Sequence, residues 1–219
     1  MGWTETRAYC RKSNGTADIK ADLDRLFEST TSVFRQRRQR IIKSQIVKAQ
    51  YGRSSQSKVY YGALECQDGS DGRTVVCIVA LIESATEPCF DFMYKDMDET
   101  CGPSEAACPA SILDLLTPTD SKWANEWRAE CRANAERKAF ASKLSKLPLG
   151  SEIVWTVPYE GEFSLNGKQV EPGAEFHLFR EQHGRSKRWI AYTAFGVFYL
   201  EPKHLRQEDV RIIGKPTAA

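Results

Sequence analysis

The stretch TVVCIVALI, residues 74–82, is apolar at every position after its threonine. A strand with one wet face alternates apolar and polar residues, and this one does not. It therefore predicts burial on both faces and a central place in a sheet. Its neighbours supply the rest of that sheet: IIKSQIVKAQY (residues 41–51), the run from Lys58 to Glu65, the run from Thr6 to Cys10, and Phe90 to Tyr94. In the last of these Phe90, Phe92 and Tyr94 alternate with Asp91 and Met93, which suits a half-buried strand. QDGSDG (residues 67–72) has the composition of a hairpin connection. Ahead of these strands, Ile19, Leu23, Leu26 and Phe27 recur at helical spacing behind a cap at Thr16 or Asp18. The expected fold class is α+β, with an N-terminal antiparallel sheet covered by helices.

The sheet leads into FDFMYKDMDETCGPSEAACPASILDLLTPTD, residues 90–120, where acidic, cysteine, proline and apolar residues crowd together. Gly102-Pro103 breaks the strand, and Pro109 suits the first turn of a helix running through Ile112, Leu113 and Leu116. Thr119 or Asp120 is expected to cap the following helix, Ser121 to Leu144, on which Trp123, Trp127 and Cys131 share a face that Phe140 continues. Asp96, Asp98 and Glu99, with Glu105, have the oxygen ligands that a hard cation such as magnesium requires, and Cys101 is a candidate nucleophile. Capping and hydrogen bonding inside a tight loop call for the same residue types, and the structural role is the expected one.

The strings YKDMDETCGP, CPASILDLLTPTD and WANEWRAECR, with the opening MGWT, resemble a family of uncharacterised proteins carried by bacteriophages, plasmids and other mobile elements. The resemblance covers residues 1 to about 150. It implies a bacterial host cell as the setting. Relatives often carry a further cysteine where this chain has Ser104, so the resemblance does not imply an obligatory metal site.

With 219 residues, 31 Lys and Arg against 29 Asp and Glu, and a net charge of +2, the total charge argues for neither nucleic acid nor membrane. No run approaches the roughly 20 apolar residues of a membrane helix, and the start lacks the pattern of a secretion signal, so a cytoplasmic location without membrane contact is expected. Seven cysteines without a regular rhythm fit a reducing compartment, and Cys77 reads as a small buried hydrophobe. Cys101 and Cys108 form the one close pair, but the three histidines lie far along the chain, and packing is preferred to zinc.

Local charge is more informative. Arg35, Arg37, Arg38 and Arg40 form the densest basic block, extended by Lys43, Lys48, Arg53 and Lys58. Such a block suits phosphates or an acidic protein surface, and it also suits a solvated connection. Lys146, Pro148 and Gly150 mark a boundary that divides an α+β domain over 1–147 from a small all-β domain over 148–214, with 215–219 as a tail. There EIVWTVPY, EGEFSL, EFHLFREQ, WIAYTAF and FYLEP are short strands between close turns, as in an SH3-like barrel. Arg180, His183, Arg185, Lys187 and Arg188 beside Trp189 and Tyr192 make a basic tip with aromatic neighbours.

No phosphate-binding glycine loop, nucleophile elbow or metalloprotease signature occurs, and no cofactor is expected. The expected function is a non-enzymatic accessory protein of a mobile element. It would bind nucleic acid, or a host nucleic-acid-processing or defence complex, through Arg35, Arg37, Arg38, Arg40, Arg180, Arg185, Lys187, Arg188 and Trp189. One alternative is an enzyme using the 96–108 loop, with Asp96, Asp98 and Glu99 on a divalent metal or Cys101 as nucleophile. Another is a structural or assembly adaptor.

Overall fold

The computed structural model describes residues 4–9, 12–13, 16–29, 38–51, 55–68, 72–86, 89–96, 106–160, 163–165, 167–194 and 196–214. Two compact units divide at Ala135 and Glu136, within a helix that continues to Lys146. The break read from composition at 147/148 falls where that helix ends.

The first unit opens with β1 (Thr4–Tyr9), the short pair β2 (Lys12–Ser13) and β3 (Thr16–Ala17), and helix α1 (Ile19–Ser29). Three long strands follow, β4 (Arg38–Tyr51), β5 (Ser55–Asp68) and β6 (Gly72–Thr86), then β7 (Cys89–Asp96). Their order is β1-β7-β6-β5-β4, antiparallel throughout, so the apolar stretch in β6 is the middle strand as expected. Its side chains divide by parity. Val76, Ile78, Ala80 and Ile82 join Tyr60 and Leu64 under Leu23 and Phe27 of α1. Cys77, Val79 and Leu81 join Val59, Tyr61 and Ala63 under Ile112, Leu113, Leu116, Trp127 and Cys131.

Helix α1 begins where Asp18 Oδ1 accepts the Ala21 amide at 3.0 Å, which settles the cap on Asp18. Asp22, buried, pairs with Arg25 one turn on. The Tyr60 ring lies across Gly62, where a Cβ would meet its hydroxyl at 2.7 Å, and that hydroxyl donates to Asp24 of α1 at 2.7 Å. The missing side chain at Gly62 is thus what lets the strand bind the helix.

Helix α2 (Ala110–Leu113) is shorter than its apolar pattern suggested. The chain leaves it because Thr117 is needed on the sheet: its amide donates to Val75 O at 3.0 Å and its Oγ1 accepts the Val75 amide at 2.8 Å. Helix α3 (Lys122–Lys146) is capped by Ser121, whose Oγ accepts the Ala124 amide at 3.3 Å, one residue later than expected. Thr119 is occupied in accepting the Ser121 amide. Arg128 and Asn134 of α3 donate to the carbonyls of Thr117 and Ala106, fixing the segment on either side of α2. Phe140, expected on the Trp127 face, belongs instead with Leu144 to the core of the second unit.

That unit contains β8 (Glu152–Thr156), the hairpin of β9 (Phe163–Leu165) with β10 (Lys168–Val170), then β11 (Glu175–His183), β12 (Ser186–Thr193) and β13 (Gly196–Leu200). A 3-10 turn (Pro202–His204) precedes β14 (Val210–Gly214). The antiparallel sheet has the order β13-β12-β11-β8-β14. Among the described residues β13 and β14 do not pair, so the sheet is not closed into the expected barrel. Strands β10 and β14 have no counterpart in the strands read from sequence. Trp155, Leu178, Trp189, Ala191 and Phe198 fill the inner face with Phe140 and Leu144.

Candidate nucleic-acid interface

Most of the acidic and cysteine-bearing loop falls outside what the structure describes. Asp98, Glu99, Cys101 and Glu105 lie outside the described residues, and Asp96 is the last residue of β7, in register with Ile78. Among the described residues no group of histidine, cysteine and carboxylate side chains is arranged to hold a metal ion. Cys108, from the same stretch, is core. Its sulfur lies 4.0 Å from that of Cys77, and both are buried free thiols, as are Cys66 and Cys131. Burial pushes the Cys131 thiol up to about 12, which makes it a packing group and an inert one.

Of the arginine block, Arg35 and Arg37 lie outside the described residues. Arg38 opens β4 in register with Gln67. Arg40 faces Glu65 across the β4–β5 ladder, and its Nη2 donates to Glu65 Oε2 at 3.0 Å. Arg73 approaches the other oxygen of the same carboxylate at 3.8 Å. With Gln39 and Gln67 these residues line an open cleft of about 230 Å³. Two guanidiniums sharing one carboxylate leave a local excess of one positive charge. Neither Glu65 nor Arg73 stands out in the sequence, because only the strand register brings them to Arg40.

In the second unit, two of the expected contact residues are interior. Arg180 is only 4% exposed and Trp189 is 0% exposed. The Arg180 guanidinium donates to Lys187 O at 3.1 Å and to Ser145 O, in the last turn of α3, at 3.0 Å, and it lies 5.7 Å from the Trp189 ring centre. Burial lowers its pKa from the ordinary guanidinium value. It shares strand parity with Leu178, which faces the core. These two residues therefore hold the fold.

The opposite parity gives a face on which exposed side chains surround Ile190, itself buried. Arg188 and His183 are solvent-exposed on it and Arg185 lies in the adjoining turn; Lys187, also exposed, has the parity of Trp189 and so stands on the other face. The Arg188 guanidinium lies over Tyr199 at 5.4 Å, and the His183 ring lies against the same tyrosine with centres 4.7 Å apart. Register places Tyr199 opposite Ile190, Ile190 opposite Phe179 and Tyr192 opposite Val197. Tyr192 is 58% exposed and Tyr199 is 41% exposed. The Tyr192 hydroxyl donates to Glu181 Oε2 at 2.6 Å, and this bond raises its pKa, since ionisation would set a phenolate beside a carboxylate. The bond also fixes the ring on the sheet surface. At the margin Lys203 pairs with Glu201 at 2.7 Å and, chiefly through that bond, lowers the Glu201 pKa.

Exposed aromatic rings flanked by guanidinium and imidazole groups form a surface on which planar ligands stack, with cations at its rim for phosphates. Tyr199 was missed as a site residue because VFYL is apolar at both parities; only the inward turn of Phe198 assigns Tyr199 to the outside. No family model matches the chain, and no curated protein or solved structure matches it either. Among the described residues no helix is long and apolar enough to cross a membrane.

Proposed function

We propose that the chain is a non-enzymatic binding protein whose second unit, an SH3-like barrel left open between β13 and β14, holds single-stranded nucleic acid on the outer face of β11, β12 and β13. The barrel assignment is supported by the strand order, by the hairpin inserted after β8, and by the 3-10 turn just before the last strand. The observation that carries the ligand assignment is Tyr199, partly exposed and flanked by Arg188 and His183, on the same face as Tyr192. Bases stack on such rings irrespective of sequence, and Arg185 and Arg188 meet the backbone charge. In the setting that the family resemblance implies, this is an accessory protein of a mobile element in the bacterial cytoplasm. It acts there on exposed strands or on a host nucleic-acid-processing or defence complex that carries them.

The test is fluorescence anisotropy of a labelled oligothymidylate with the whole chain. Tyr199→Ala weakens binding by roughly 5- to 150-fold, the worth of one stacked base, while Tyr199→Phe keeps the ring and retains it. Neutralising Arg185 and Arg188 flattens the dependence of affinity on salt by about 0.7 for each phosphate no longer neutralised. Binding that ignores Tyr199→Ala, or that does not weaken as salt rises, refutes the assignment.

A further inference from the structure

The long basic strand β4 is the edge of its sheet. It spans 14 residues, and among the described residues it pairs only with β5. Near its start the edge is modified: the Ile41 amide donates to Glu28 Oε1 at 3.0 Å, and the ladder shifts register between Ile41 and Lys43. From Lys43 to Ala49 the ladder with β5 is regular, and every second residue turns its amide and carbonyl away from β5.

The charge along this edge has one sign. RQRIIKSQIVKAQY contains no acidic residue. Lys43 lies in register with Ala63, on the face of Trp127, and Lys48 lies in register with Lys58, on the face of α1. Lys48 and Lys58 are therefore like charges directly opposite each other, an arrangement that costs stability. All three lysines are exposed, and among the described residues none of them is in an ion pair. Among the described residues no ion pair accounts for this pattern, and carboxylates arriving from outside would complement it.

We propose that the Lys43–Ala49 edge of β4 is a docking site for an extended, acidic segment of a partner protein, which adds to the sheet as a further strand. The ladder supplies main-chain hydrogen bonds and the lysines set the choice of partner. Lys43 and Lys48 are five positions apart and on opposite faces, so the matching segment carries two carboxylates at that same spacing, with apolar residues between them beside Ile46 and Val47. A second copy of the chain does not fit. Antiparallel overlap of β4 with itself brings together two edges of the same sign, with no carboxylate on either to meet the lysines. A nucleic-acid strand fits less well than a peptide, because the edge carbonyls that alternate with the amides repel phosphates and accept only from donors.

The probe is a synthetic peptide alternating glutamate, valine and threonine, with two glutamates five positions apart, added to the full chain. Hydrogen exchange is followed at the β4 amides and affinity by anisotropy of the labelled peptide. The peptide is expected to slow exchange at alternate amides between Lys43 and Ala49. The double variant Lys43→Glu with Lys48→Glu, confirmed folded by circular dichroism, is expected to bind it at least about tenfold more weakly. That variant should in turn bind the peptide whose two glutamates are replaced by lysine. The proposal is overturned if a proline-substituted peptide of equal charge binds as well, since charge alone would then suffice. It is equally overturned if the β4 amides gain no protection, if oligothymidylate displaces the peptide from β4, or if sedimentation shows the chain pairing with itself through this strand.

Discussion

Replacing Arg180 by methionine separates a residue that holds the fold from one that holds a ligand. Its guanidinium makes two hydrogen bonds to backbone carbonyls, at 3.1 Å to Lys187 and 3.0 Å to Ser145, in a position with almost no solvent access. Bonds from a charged donor contribute about 1.5–3 kcal/mol each, and the contact with Trp189 adds about 1 kcal/mol. Against this, methionine fills much of the same space and removes the cost of burying a charge, which offsets part of the loss. It leaves the Ser145 carbonyl, one of the last of α3, without its partner. The net expectation is a loss of about 2–4 kcal/mol, or roughly 10–25 °C in the unfolding midpoint of a unit this size. Hydrogen exchange at the amides of β8, β11 and β12 reads the second unit specifically, with the amides of β5 and β6 as the internal reference. A change below about 0.5 kcal/mol refutes the structural role. Loss of oligonucleotide affinity at unchanged stability would return Arg180 to the binding surface.

Two further predictions concern the first unit. Burial pushes the Cys131 thiol from the ordinary thiol value of 9.0 up to about 12, so above pH 9 the unfolded state sheds its proton first and stability falls as pH rises. Urea unfolding should show a contribution of about 2 kcal/mol lost by pH 10.5, and Cys131→Ala should make the alkaline limb shallower; equal slopes in both proteins would contradict the burial argument. Tyr60→Phe removes the hydroxyl that donates to Asp24 and leaves the ring packing against Phe27, so a loss of about 1–2 kcal/mol is expected in the same assay, and an unchanged midpoint would show that the bond between strand and helix contributes nothing.

The central strand was legible because its apolar character is independent of parity: each side chain of TVVCIVALI has an apolar neighbour whichever face it takes. The Trp123–Trp127–Cys131 stripe was legible for the related reason that a helix fixes which residues share a face. Parity failed where both faces of a short strand carry apolar residues. In EFHLFREQ, Phe176 and Leu178 point to one side and Phe179 to the other, so local pattern does not tell whether Arg180 is inside. The pairing of Arg180 with Trp189 decides it, and that contact depends on register. The cleft around Glu65 and the meeting of Cys77 with Cys108, 31 positions apart, are long-range in the same sense.

Residue type alone also hid what the basic residues do, because the same cation serves three ends according to the backbone beneath it. Arg180 sits at an inward position and satisfies carbonyls. Arg188, on the outward parity of the next strand, lies over an exposed ring, opposite Glu181 in the ladder and open to solvent. Lys43 and Lys48 stand on an edge strand, where charge guards unpaired amides against self-association. The guard is selective, since a positive edge rejects its own copy and admits a strand of opposite sign. The two proposed ligands are consequently separable by one variable. Raising salt weakens the oligonucleotide steeply, through counterion release, but weakens an added strand only in its lysine contacts and spares its main-chain ladder.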